Sequence, residues 1–484
     1  MSLSTALSIA QSALMNTARQ TSVVSRNVAD ADNPDYSRRQ AVVTSTAPGA
    51  RSVDIRRAAN DLLFRQNLSA LSAWSGQSAL YSGMDQLGVS VNGVDNASSP
   101  STAIGNLQQA LQLYATSPSN QNLGASVVDA ARQVVRSLNE GSTAIQDFRT
   151  QTDGQIATAV HDLNSLLSQF QDANTAVISG TRSGTDVSDA LDQRDALLKK
   201  ISDYIPVSTF TRGDNDMVVT TGDGTTLFET IPRTVSFAPS SGYTAGGAGN
   251  AVYIDNVPIS AGAGGNTSAS GKLAGLLQLR DSVASTMQSQ LDETARGLIT
   301  AFAETAPPLP NAAGLFTWSG APAVPAAGTL VNGLAGSISV NAAMDPSAGG
   351  NPTLLRDGGA NGAAYVANTG GGASYSDLLV AYGDRLDKPM AFDPAAGVSA
   401  TSSVSDYAAN SIGWFEGVRQ QASTASDAKE ALASRSAEAL SNATGVNVDQ
   451  EMSLLLDLEH TYQASARMMK TVDDMMTALL NAVG

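Results

Sequence analysis

The first thirty-three residues contain neither proline nor glycine, and within them Leu3, Leu7, Ala10, Leu14, Thr17, Thr21, Val24 and Val28 recur at alternating spacings of four and three. That alternation is a heptad seam on one face of a helix. Small and hydroxylated members such as Ala10, Thr17 and Thr21 make the seam weak, and an isolated helix of this kind is marginal in water. It needs a partner, and the other end of the chain offers one. Leu455, Leu458, Tyr462, Ser465, Met469, Val472, Met476, Leu479 and Val483 carry the same spacing, with Ser465 the one interruption. A helix from about 449 to 483 would be ~50 Å long, capped by Asn447 or Asp449 after Gly445. The alternative is two amphipathic helices packed into separate cores.

Charge favours pairing of the ends. Residues 1–57 hold seven Arg against four Asp, a balance of +3, while residues 449–484 hold six acidic residues against Arg467 and Lys470, a balance of -4. Exposed pairs are each worth only ~0–1 kcal/mol, so the charges select a partner more than they hold it.

A chain of 484 residues exceeds what one core organises, so more than one domain is expected. Helical periodicity recurs at roughly 60–87, 103–115, 123–179, 187–204, 273–304 and 404–442, as an elongated helical body. Between Pro206 and Ser260 short strands such as 217–220 and 251–254 alternate with Gly-containing turns. The expected fold class is mainly α with inserted β. Paired terminal coiled-coil helices occupy 1–57 and 445–484, and a helical-bundle body occupies 58–205, 268–305 and 376–444. A small β domain is inserted at 206–267, and a Gly/Ala/Pro-rich irregular or β segment fills 306–375.

The residues offer little for catalysis. A formal charge of -16 argues against nucleic acid as a partner, and without cysteine there is neither a disulfide nor a thiolate. The two histidines, His161 and His460, lie far apart on helix-like segments, without metal-ligand spacing or a nucleophile elbow nearby. Gly265 to Leu273 misses a phosphate loop at two positions, since the first Gly is one residue too far and Leu273 stands where Ser or Thr would bind magnesium. It reads as a turn into a helix. No cofactor, metal or catalytic residue is expected, and no apolar run reaches the ~18 residues of a membrane span. A membrane partner is not expected either.

The segment Ser25 to Gln40 carries a recognisable motif. Asn27, Val28, Ala29, Pro34, Tyr36, Arg38, Arg39 and Gln40 match the N-terminal pattern Asn-Val/Ile-Ala-Asn, two variable residues, Thr-Pro-Gly-Tyr and then basic or polar residues. In this it resembles the rod, hook and hook-associated proteins of the bacterial flagellum. Asp30, Asn33 and Asp35 depart from the pattern, and Asp35 replaces the glycine of its turn. Three further pieces resemble the hook-filament junction members of the family: Ala190 to Leu198 with its Asp-Gln-Arg-Asp run, Gly271 to Asp281, and Gly445 to Arg467. By itself the Asp192 to Asp195 run reads as a solvated helix face.

The resemblance implies a secreted structural subunit, not an enzyme, located outside the cell at the hook-filament junction after a transient stay in the cytoplasm. It implies export through the flagellar type III channel and a cytoplasmic export chaperone on the C-terminal region. Partners would be further copies in a ring, the hook protein below and the second junction protein above. The assembly seams would be Leu3, Leu7, Ala10, Leu14, Val24 and Val28 at one end, and Leu455, Leu458, Tyr462, Met469, Val472, Met476, Leu479 and Val483 at the other. A flagellin-like filament subunit, another hook or rod axial protein, and a cytoplasmic helical adaptor remain as alternatives.

Overall fold

The computed structural model describes residues 3–46, 50–259 and 269–483. Among these residues twelve α-helices follow in chain order: α1 (Leu3–Ala29), α2 (Asp61–Asn92), α3 (Pro100–Thr116), α4 (Gln121–Ser183), α5 (Ser188–Tyr204), α6 (Lys272–Gln278), α7 (Ala284–Ala301), α8 (Leu334–Ser337), α9 (Leu354–Asp357), α10 (Asp377–Asp387), α11 (Val404–Thr444) and α12 (Val448–Val483). Most follow the hydrophobic periodicity to within a few residues. Asn447 accepts from the Gln450 backbone N–H and caps α12.

The chain folds into two compact units, one from residues 1–74, 162–234 and 428–484, the other from 75–161 and 235–427. This corrects the single helical body expected over 58–205, 268–305 and 376–444, because α2, α4 and α11 each supply residues to both units.

In the first unit α1 lies along α12. Asn27, near the end of α1, bonds Glu451, in the first turn of α12, so the two helices run antiparallel. Strands β1 (Arg39–Thr46) and β2 (Ala50–Arg57) form an antiparallel ribbon whose register runs from Arg39 opposite Arg57 at the root to Thr46 opposite Ala50. Strands β3 (Val207–Thr211), β4 (Met217–Thr221) and β5 (Thr226–Phe228) make a three-stranded antiparallel sheet. Its Val218, Val219 and Leu227 are buried, as are Leu163, Leu167, Leu198 and Ile201 of the unit's helices. Phe228 meets Phe170 edge-on at 5.0 Å.

In the second unit β6 (Val235–Ser236), β7 (Tyr253–Ile254) and β8 (Val257–Pro258) form a separate small sheet. The expectation of one inserted β domain at 206–267 is therefore corrected. Its strands make two sheets in two units, because alternation and turn signals mark strands without naming the strands they pair with. Two further two-stranded pairs join β9 (Phe316–Thr317) to β10 (Ser339–Val340) and β11 (Met390–Ala391) to β12 (Thr401–Ser402).

Helix α7 is buried almost throughout and carries acidic side chains that organise the loops around it. Asp292 accepts from the backbone N–H groups of Gly333 and Ala335 at 2.9 and 2.8 Å. Glu293 binds Arg296 and the Asp393 N–H, and Glu304, just past the helix, accepts from Ala360 and Asn361. These clips order much of the 306–375 segment around buried Phe316, Leu334, Met344 and Leu355. It contains α8 and α9, which local composition did not reveal.

Candidate assembly site

Helix α1 buries Ala10, Thr17 and Val24, one heptad position, together with Asn16, Val23 and Asn27. Leu7, Leu14 and Val28 of the expected seam are half-buried beside them. On α12 the buried stripe is again a single heptad position, Glu451, Leu458, Ser465 and Val472, with Leu455, Met469 and Met476 half-buried along its edge. Ser465 lies in the stripe and does not interrupt it. Tyr462, expected in the seam, is 49% exposed, and so is Leu479 at 53%. The side chains of Leu3 and Val483 lie outside the described residues.

Length explains Leu479. From Asn27 back to Leu3 the helix runs ~36 Å, and the same length measured from Glu451 ends near Met475. Beyond that point α12 continues without α1, so Leu479, which repeats the heptad position of Val472, meets water, and Leu480 is 74% exposed. Tyr462 lies on the flank of the stripe, toward solvent.

At the base of this helix pair the motif residues converge. Asn27, fully buried, accepts through Oδ1 from the Tyr36 hydroxyl at 2.9 Å and the Arg39 N–H at 3.0 Å, and donates through Nδ2 to the Arg39 carbonyl at 2.8 Å and to Glu451 Oε2 at 2.9 Å. Arg38 donates Nε to Glu451 Oε1 at 2.6 Å. The Tyr36 N–H closes a turn onto the Asn33 carbonyl at 3.1 Å, and the Asn33 side chain accepts from the Asp35 N–H at 3.0 Å. Asp35 is not among the residues of positive φ, so this turn needs no glycine. Val28 packs half-buried on the same helix end, while Ala29 is exposed and Pro34 follows in the turn.

The Asp-Gln-Arg-Asp run is not a solvated face. Asp192 is buried and accepts from Arg39 Nη2 at 3.1 Å and from Arg57 Nε at 2.6 Å, so it clasps both residues of the pair at the ribbon root. Asp195 takes Arg57 Nη2 at 2.6 Å. Arg194, also buried, reaches Asn174 and the Asn215 carbonyl. Arg39 lies over the Tyr36 ring at 4.7 Å and also binds Asp189. Burial disfavours charge on Arg57, but the carboxylates of Asp195 and Asp192 outweigh it and hold its pKa above the usual range. Burial likewise works against the Asp189 carboxylate, and hydrogen bonds from Arg26 and Arg39 outweigh it and hold the pKa below the usual range.

Helix spacing could not supply these partners, because Arg39 and Arg57 precede Asp192 by 153 and 135 residues. Glu451 and Arg57 were also not singled out. A legible sign of Glu451 was its place one heptad before Leu458, a lone carboxylate on the buried face of α12. The third motif falls in the second unit. Gly271, at φ 82°, opens α6, and fully buried Arg280 pairs with Asp153 at 2.6 Å. Residues 265–268 of the near phosphate loop lie outside the described residues. His161 and His460 are both exposed. Among the described residues no group of three or more His, Asp or Glu is placed to hold a metal ion, and no helix is long and apolar enough to cross a membrane.

Residues 86–306 match the family described as the flagellar hook-associated protein FlgK helical domain, and residues 439–482 match the flagellar basal body rod FlgEFG protein C-terminal family. Flagellar hook-associated protein 1 of Bacillus subtilis (strain 168) is 22% identical over 405 residues, which are 77% of this chain and 74% of that protein. The structure of the flagellar hook junction protein FlgK from Burkholderia pseudomallei aligns with a TM-score of 0.42 and 21% identity, covering 53% of this chain and 47% of that one. The protein is thus one of the axial proteins of the bacterial flagellum, a class of structural subunits and not of enzymes. Within that class the chain is similar to flagellar hook-associated protein 1.

Proposed function

We propose that this chain is a structural subunit of the hook-filament junction, built into a short ring of identical copies through its terminal helices. The observation that carries the reading is the stretch of α12 beyond Met475, where the heptad position buried as Leu458, Ser465 and Val472 continues as Leu479 without α1 beside it. A neighbouring subunit would cover it, by a head-to-tail contact that closes a ring or extends a helix. The hook protein lies below and the second junction protein above. The chain is extracellular in its working state, reaches that place through the flagellar type III export channel, and is held beforehand in the cytoplasm by a chaperone on its C-terminal region. No catalytic activity is part of this function.

Immunoelectron microscopy of isolated hooks and filaments tests the assignment, with label expected in a band between the two. Cells lacking the protein should make hooks, release unpolymerised flagellin into the medium and fail to swim. Normal filaments on such cells would remove the junction role.

A further inference from the structure

Three segments distant in sequence meet at the base of α12, and each central residue serves two of them. Asn27 holds both the N–H and the carbonyl of Arg39, the first residue of the ribbon, and with the same amide nitrogen reaches Glu451 on α12. Arg38 donates its backbone N–H to the Thr444 carbonyl, at the end of α11, and its side chain to Glu451, so it spans the joint between α11 and α12. At that joint a Cβ on Gly445 would lie 2.5 Å from the Ser441 carbonyl oxygen, so a larger residue would force the backbone apart there. Asp192 fixes both strands of the ribbon at the root through Arg39 and Arg57.

Glu451 is fully buried, and its two oxygens take Asn27 and Arg38. If α12 lifts away, both donors lose a buried carboxylate, and the Asn27 amide that orients Arg39 loses half of its bonds on that side. Further along, the buried stripe between α1 and α12 mixes the small residues Ala10, Thr17 and Ser465 with Val24, Leu458 and Val472, so it holds less than an all-leucine seam would. We infer that this knot is a two-way latch: docking of α12 onto α1 and fixing of the ribbon root are one cooperative event, so that release of either loosens the other. Ribbon and helix thereby share a single docked state, and whatever displaces one at a subunit contact is felt by the other. The latch goes beyond the proposed function and stands without it.

Coupling of this kind is reciprocal, and hydrogen exchange on the full-length chain reads both directions. Glu451→Ala should speed exchange in 449–458 and, by roughly tenfold or more, in the ribbon strands 40–44 and 53–56. Asp192→Asn should speed the ribbon and also the first turns of α12. The α4 segment 163–177 should be accelerated less than the ribbon and the first turns of α12 in both variants. Where Glu451→Ala speeds that segment as much, the comparison passes to the milder Glu451→Gln, which keeps the size of the side chain and one acceptor oxygen but loses the charge and the second acceptor. Acceleration confined to α12 in Glu451→Ala, or to α5 and the ribbon in Asp192→Asn, overturns the latch. So does a Glu451→Gln chain in which 163–177 opens together with the helix and the ribbon, since the knot would then hold the whole unit.

Discussion

At the scale of single residues, the carboxylate of Asp192 is the shared acceptor of two guanidinium groups that the fold has taken out of water. Breaking a buried pair by removing one partner leaves the other uncompensated, at a cost of about 3–5 kcal/mol. Asp192→Ala is therefore expected to lower the unfolding free energy by about that much in urea titrations followed by circular dichroism. Asp189 also binds Arg39 but is 65% exposed, and Asp189→Ala should lose less than about 1 kcal/mol. Equal losses in the two variants would mean that burial does not set the strength of this cluster. Asp203 behaves differently, because burial raises its carboxyl pKa from 3.8 to about 6. A folded pKa above the unfolded one means that the folded state holds the proton more tightly. The stabilisation is complete below the unfolded value of 3.8 and is lost as pH rises through about 6. Asp203→Asn should thus raise the melting temperature at pH 8 by more than it does at pH 4.5. The gain is at most about 3 kcal/mol, less the share that water reaching the carboxyl already screens. A pH-independent difference would place Asp203 in contact with solvent.

The elements show which signals a sequence carries and which it does not. Helix α4 was expected at 123–179 and spans Gln121–Ser183, because so long an amphipathic period cannot be mistaken. Helix α10, eleven residues with Gly383 inside, is too short for its period to stand out from the Gly-rich stretch before it. The Asn27 and Asp192 motifs were each visible, but not their meeting, since that depends on where the tertiary fold brings α5. Likewise the seam was legible as a spacing, whereas the end of its coverage depends on the unequal lengths of α1 and α12. Two substitutions one heptad apart separate these ideas. Val472 is 4% exposed, and Val472→Asp would put a carboxylate in the contact with α1 at a cost of several kcal/mol, so exchange along α1 and α12 should rise in the free chain. Leu479→Asp, beyond the reach of α1, should leave exchange in the free chain unchanged and abolish incorporation at the hook. Asp473→Ser, on an exposed face, should incorporate normally. If Leu479→Asp incorporates as wild type and Asp473→Ser does not, the assembly register assigned to α12 is wrong.

For the whole molecule, stability is distributed unevenly along the chain, and proteolysis reads that distribution directly. The base of α12 is tied by Glu451, Asn27 and Arg38, the middle rests on Leu458, Ser465 and Val472, and the tip past Met475 lacks α1. Opening should therefore start at the tip and travel toward the base. No Lys or Arg follows Lys470, whereas Leu479 and Leu480 are open to water, so a chymotrypsin-like protease at low concentration is the suitable probe. In a dilute solution of the chain, intact-mass measurements should show the first cut at 479–480, then cuts further down α12 and within α1. Residues from roughly 60 to 440 should persist, because they carry most of the buried apolar side chains. In material isolated on hooks the same first cut should be suppressed, as the proposed cover of Leu479 by a neighbouring subunit requires. The anchored base gives this order a sharp alternative: Met452, Leu454 and Leu456 are also exposed, so a first cut there would mean that exposure alone governs opening and that the buried knot does not hold the helix.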